Sequence, residues 1–182
     1  MSQLTEVNSY LRRAAVREVN PVQSGSTVVT VVIRQQRFAA LWAGDSRVYR
    51  LRGGVLSQLT RDHVFEAEEP SEEPAVTTPE CQAITRAVGG EDELIPDSVR
   101  GEVSAGDRFL LCTDGLYRTL DEGTLTSILA AQEPAATSKE LVTQAIARGS
   151  TDNVTALVID CSALVPVALT DALNIRSLQP PA

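Results

Sequence analysis

The chain has 182 residues, 43% of them apolar and 22% charged, a balance that suits one soluble domain with a substantial core. Its net charge of −8 argues against a nucleic-acid partner, because phosphate backbones select basic surfaces. No run approaches the ~18 apolar residues of a membrane span, and the opening MSQLTEVNSYLRRAAV carries charge where a signal peptide would be apolar. No membrane partner is expected, and the cytoplasm is the expected compartment. Cys81, Cys112 and Cys161 are odd in number and widely spaced, which fits neither a disulfide framework nor a zinc site.

In chain order, Leu4, Val7, Leu11, Ala14 and Ala15 recur at helical spacing and Val19 continues the stripe, so an amphipathic helix is predicted up to Asn20-Pro21. STVVTVVI is β-branched and almost wholly apolar, as a strand covered on both faces would be. RFAALWA and RVYRLRGGVLSQL follow as further strands, with Gly53-Gly54 as a hairpin turn, so the four strands read as an antiparallel meander. Residues 66–80, EAEEPSEEPAVTTPE, lack any apolar period and read as an exposed acidic loop. CQAITRAVG reads as a short helix stopped at Gly89, and SVRGEV and DRFLLCT as a strand pair turned at Ala105-Gly106. Two helices follow, capped by Asp121 and Ser138, the second ending at Gly149, and VTALVID is a last strand. The domain is expected over residues 1–160, with an extension over 161–182. The pattern predicts an α+β protein of antiparallel sheets flanked by helices.

Three aspartates share one local grammar. Asp45 follows AALWAG and precedes Ser46-Arg47; Asp114 follows FLLCT and precedes Gly115; Asp152 follows Gly149-Ser150-Thr151 and precedes Asn153. Each is a good turn former on its own. A carboxylate near a core also needs a hydrogen bond, a counter-ion or a cation to offset its desolvation. Sheets bring strand ends together, and converging oxygens are what Mg2+ or Mn2+ requires. His63 is the single histidine, which excludes a multi-histidine metal site; a lone histidine suits a general acid, but a supporting or surface role is the favoured expectation. Arg47 and Arg86 suit either phosphate binding or structural pairing.

The order of GSTVV (25–29), WAGDSRVYRL (42–51), LTRDH (59–63), ITRAVG (84–89), DRFLLCTDGL (107–116) and STDNVTALVI (150–159) resembles the successive motifs of the metal-dependent PP2C-type (PPM) protein serine/threonine phosphatases, in particular their bacterial branch. The resemblance implies a sandwich of two antiparallel sheets between helices, with a paired Mn2+/Mg2+ site at one end. It implies Asp114 and Asp152 as ligands of the paired metals and Asp45 as the carboxylate of a further, looser metal site. Gly44, Ser46, Arg47, Gly115 and Asn153 flank those ligands. It implies a phosphorylated protein as substrate, with a serine/threonine kinase or its target as a further partner, and attack on phosphorus by a metal-activated water. The family's opening segment, with its phosphate-binding Arg and an Asp-Gly-x-Gly motif that supplies the bridging carboxylate, has no match here. The first strands and the bridging ligand are therefore expected to be missing, and no catalytic residue is assigned. The alternative expectation is a phosphatase-like module that docks a phosphoprotein or kinase without turnover.

Overall fold

The computed structural model describes residues 2–17, 25–65, 83–131 and 133–161. The acidic loop expected at 66–80, Cys81, the helix end at Asn20-Pro21 and the extension beyond 161 lie outside them.

The fold is organised around β6 (Asp107–Cys112), whose side chains alternate between two cores. Phe109 and Leu111 face a core shared with Phe38, Ala40, Val48 and Val103. Phe38 and Phe109 meet edge to face across it, with ring centroids 5.2 Å apart. Leu110 and Cys112 face the opposite way, into a core closed by Leu116, Leu120, Leu125, Leu129 and Leu141. The first core joins two sheets and the second joins a sheet to helices, as the resemblance implies.

One sheet has the order β1 (Val28–Arg34), β2 (Arg37–Ala43), β5 (Asp97–Glu102); the other runs β4 (Val55–Gln58), β3 (Arg47–Arg52), β6, β7 (Ala156–Cys161), and all pairs are antiparallel. Outside the second sheet lie α2 (Asp114–Tyr117), α3 (Glu122–Ala131) and α4 (Pro134–Ala147). Gly53 and Gly54 turn the β3–β4 hairpin at φ 56° and 79°, which suits the tight turn expected there.

Several expectations need correction. The first four strands are not one meander: β1–β2 and β3–β4 are hairpins in different sheets, and the chain crosses between sheets at Gly44-Asp45-Ser46. SVRGEV and DRFLLCT do not pair either, since β5 joins β2 while β6 lies between β3 and β7. Residues 83–89 are not helical. Ile84 bridges to Val64, and Val88 exchanges two 2.9 Å hydrogen bonds with Ser26, so this backbone is spent on distant neighbours. Among the described residues β1 is an edge strand, with Val32 57% exposed, rather than a strand covered on both faces. Asp121 does cap α3, accepting from the Thr124 amide at 2.9 Å, and Gly149 does follow α4 at φ 84°. Ser138, however, lies inside α4, whose first residue is Pro134, and its hydroxyl donates back to the Pro134 carbonyl.

α1 (Ser2–Arg17) docks by polar contacts. Asn8 is fully buried, accepting from the Gly89 amide at 2.6 Å and donating to the Glu91 carbonyl at 2.9 Å. The predicted apolar stripe is only partly covered: Val7 and Ala14 are exposed, Leu4 and Leu11 half-buried. No helix of the described residues is long and apolar enough to cross a membrane.

Asp107 opens β6 as a buried carboxylate, clasped by Arg52 Nε and Nη2 at 2.6 Å each and by the Ser104 amide at 2.8 Å. The Arg52 hydrogen bonds hold its carboxyl below the usual aspartate range. A depressed folded-state pKa contributes stability above the unfolded value, about 3.9, and loses it as pH falls through the folded value. Asp107→Asn is therefore expected to lower the melting temperature at pH 7. That deficit should shrink as thermal melts are taken below about pH 4.

Candidate metal centre at the crossing between sheets

The crossing is built tightly. Gly44 sits at φ +113°, and a Cβ there would lie 2.4 Å from Thr27 Cγ2, so both backbone and space demand glycine. The Gly44 amide donates to His63 Nδ1 at 3.1 Å, while its carbonyl accepts from the His63 amide at 3.0 Å. The Ser46 and Thr27 hydroxyls bond at 2.9 Å, and Tyr117 Oη donates to the Asp45 carbonyl at 3.1 Å. His63 is buried, stacks on Trp42, and places Nε2 3.1 Å from Asp97 Oδ2. Arg86 reaches Asp97 Oδ1 at 2.6 Å, and the hydrogen bonds from His63 and Arg86 hold the Asp97 carboxyl below its usual range. His63 and Arg86 thus brace the loop that carries Asp45. Of the two roles open to Arg86, structural pairing is the one the geometry shows.

Arg47 is likewise committed to structure. It grips Asp62 through Nε at 3.0 Å and Nη2 at 2.7 Å, donates from Nη1 to Tyr49 Oη at 2.8 Å, and lies 3.5 Å from the centre of the Tyr117 ring. It therefore fixes the ring whose hydroxyl holds the Asp45 backbone.

Asp114 begins α2, where β6 ends, and its Oδ1 accepts from the Gly115 amide at 2.9 Å. Gly115 allows the chain before β7 to approach: a Cβ there would be 2.6 Å from the Asn153 carbonyl oxygen. Thr113 Oγ1 donates to that same carbonyl at 3.1 Å, and Ser150 Oγ donates to the Gly115 carbonyl at 2.8 Å. Asp152 and Asn153 are thereby seated against Asp114-Gly115 by their backbones. The Asp152 carboxylate is exposed and accepts from the Asn153 amide at 2.6 Å.

The carboxylates of Asp45 and Asp114 face one guanidinium. Arg118 Nη2 lies 3.5 Å from Asp45 Oδ2, and Arg118 Nε lies 3.5 Å from Asp114 Oδ2. Burial pushes the Asp45 carboxyl up, and the negative charge of Asp114 adds to the shift. Asp45 and Asp114 are therefore close enough to repel, and a positive charge between them is stabilising. Their hard oxygens fit Mn2+ or Mg2+. Among the described residues no three His, Cys, Asp or Glu side chains are gathered as a metal-holding group; the Asp152 backbone adjoins Gly115, next to Asp114, and not Asp45. Sequence reasoning missed Arg118, Tyr117, Asp62 and Asp97. Only Arg118 left a signal, its i,i+4 spacing from Asp114 on a helix.

A two-sheet sandwich with helices outside, in which Asp45 and Asp114 meet where strands of different sheets end, is the fold this chain shares with solved serine/threonine phosphatases. The chain belongs to the protein phosphatase 2C family, whose model matches residues 2–150. It is 36% identical over 158 residues to the serine/threonine protein phosphatase PstP of Mycobacterium tuberculosis, covering 84% of this chain and 30% of PstP. The Listeria innocua serine/threonine phosphatase stp is 30% identical over 163 residues, or 86% of this chain and 65% of stp. Among solved structures, PppA, described as a key regulatory component of T6SS in Pseudomonas aeruginosa, is 40% identical with a TM-score of 0.76, covering 87% of this chain and 66% of PppA. The PstP catalytic domain in complex with two manganese ions is 32% identical with a TM-score of 0.72, covering 86% and 67%. The chain thus spans about a third of full-length PstP and about two thirds of the Listeria phosphatase.

Two stability outcomes follow from this geometry. Gly115→Ala is expected to destabilise by about 1–3 kcal/mol in urea titrations, because backbone rather than a flexible side chain must give way. Asp45→Asn is expected to raise the melting temperature of the metal-free protein at pH 7. A raised folded-state pKa means that folding disfavours the carboxylate, and that penalty is present above the folded value and absent below the unfolded one.

Proposed function

We propose that this chain carries out the hydrolysis of phosphoserine and phosphothreonine in proteins, as a Mn2+- or Mg2+-dependent phosphatase acting in the cytoplasm. A serine/threonine kinase is the enzyme class that makes such substrates. The observation that carries the reading is the meeting of Asp45 and Asp114, from the ends of strands in different sheets, around a single positive charge. Membership of the protein phosphatase 2C family supports it.

Asp114 and Asp152 would hold the cations, with Asp45 serving a further one. Such ions supply Lewis-acid charge at the phosphoryl oxygens and an activated water. The protein's own share is placement. Gly115 lets the Asp152 segment close on Asp114, and Gly44, Ser46, His63 and Tyr117 fix the backbone that presents Asp45. Arg47 acts through Tyr117 rather than on phosphate.

Release of phosphate from a phosphothreonine peptide, followed against Mn2+ concentration, tests this. Asp114→Asn should weaken the apparent Mn2+ affinity roughly ten- to a hundredfold, with turnover falling in step. Peptide binding without phosphate release at any Mn2+ concentration would replace the enzyme with a docking module.

A further inference from the structure

We propose that the outer face of the β1–β2–β5 sheet, at the end away from the crossing, docks an extended acidic segment of a partner protein, with Arg34, Arg37 and Arg100 taking up its carboxylates. The β1–β2 register sets Arg34 opposite Arg37, and the β2–β5 register sets Arg100 opposite Ala39, one step along the same face. Neighbouring Cβ atoms of the three arginines are therefore about 5–8 Å apart across the strands. All three side chains are exposed, and none makes a hydrogen bond or ion pair with any described residue. With Val32, Ala39 and Glu102 they line an open hollow of about 510 Å³. The arginines that serve the fold differ: Arg47, Arg52, Arg86 and Arg108 each hold a carboxylate.

Folding alone gives no reason for this grouping. Like charges directly opposite each other destabilise an antiparallel pair. The turn that joins Arg34 to Arg37 is Gln35-Gln36, and Gln35 takes φ 56°, the one non-glycine positive φ among the described residues. That turn is pinned, since the Val103 amide donates to the Gln36 carbonyl at 2.9 Å. Glu102, opposite Arg37, is outnumbered by the three arginines, so positive charge stays in excess. The net charge of −8 lies elsewhere, and at physiological salt fields fade within about 8 Å, so an approaching segment meets the local charge. Val32 and Ala39 continue the same face as an apolar floor. An open floor of this kind suits a polypeptide that alternates carboxylates with apolar side chains. Three arginines are too few to track a nucleic-acid backbone. The length of β2, roughly 23 Å, separates this face from Gly44, so docking here leaves the crossing untouched.

Fluorescence anisotropy on the whole chain tests this, with a labelled Glu-Glu-Leu-Glu-Glu-Leu-Glu-Glu peptide and its Gln counterpart as probes. The acidic peptide should bind, more weakly as salt rises, and the Gln peptide should not. Arg34→Gln/Arg100→Gln should weaken binding about tenfold, through the loss of two exposed ion pairs. Arg13→Gln, which removes an exposed arginine of α1, should leave binding unchanged. Arg34→Gln alone should raise the melting temperature, because it removes a like-charge pair, so its loss of binding is separable from loss of fold. Binding should be equal in Mn2+ and in EDTA. Equal weakening by Arg13→Gln, no weakening by the double substitution, or binding that requires Mn2+ overturns the proposal. So does an acidic peptide that fails to bind at millimolar concentration, or an RNA oligonucleotide of equal charge that binds more tightly than the peptide.

Discussion

The chain has three residues, Gly44 to Ser46, in which to leave one sheet and enter the other, and most of the molecule is arranged around that crossing. The backbone conformation at Gly44 and the methyl group of Thr27 pressed against it leave no room for a side chain. Every polar group of the crossing that faces inward needs a partner, because an unmade hydrogen bond there is costly. His63 answers the Gly44 amide, Thr27 answers Ser46, and Tyr117 answers the Asp45 carbonyl. These partners come from the segment before β1, the segment after β4, and α2. A turn that satisfied only local geometry would not require three remote elements to meet at it.

The same economy operates at the other end of the site. The alternation of β6 fixes which side chains reach each core, and the register with β3 sets Cys112 opposite Arg47. β6 therefore ends beside the start of β3, and the next residues, Thr113 and Asp114, are delivered next to the crossing. Leu116 and Leu120 then anchor the following turn in the helical core. Hydrophobic burial on one face of a strand thus determines where a carboxylate on the next turn will stand. Gly115 closes the arrangement, since the carbonyl of Asn153 occupies the space its side chain would need.

Local chemistry made part of this legible in the sequence. Gly53-Gly54 announces a hairpin, the Asp121 cap announces α3, and the repeated strand–aspartate–turn grammar marks Asp45, Asp114 and Asp152 before any geometry is known. Which strands pair was not legible. SVRGEV and DRFLLCT are separated by a short turn and look like a hairpin, yet Val103 enters the core between the sheets and the chain passes from one sheet to the other. A tight turn and a tight crossing have the same composition, and only non-local packing separates them. The segment 83–89 misleads for a related reason. Its apolar spacing admits a helix, but its hydrogen bonds go to Ser26 and His63, which are distant in sequence. Arg118 was passed over because its i,i+4 spacing from Asp114 gives no local sign that Asp45 lies on its other side.

Charge placement separates the parts of this molecule that hold it together from the part that is free to change. Where an arginine serves the fold, as Arg52 does on Asp107, the carboxylate is held below its usual range and its ionised form stabilises the native state. At Asp45 the sign is reversed: burial and the neighbouring Asp114 raise the carboxyl, and the fold is less stable for keeping it ionised. A protein selected only for stability would place an amide or an apolar group there. Keeping a destabilised carboxylate at a position braced by four hydrogen bonds means that the backbone has been made rigid to hold a charge that folding disfavours. Such an arrangement makes physical sense where a further positive charge enters the site.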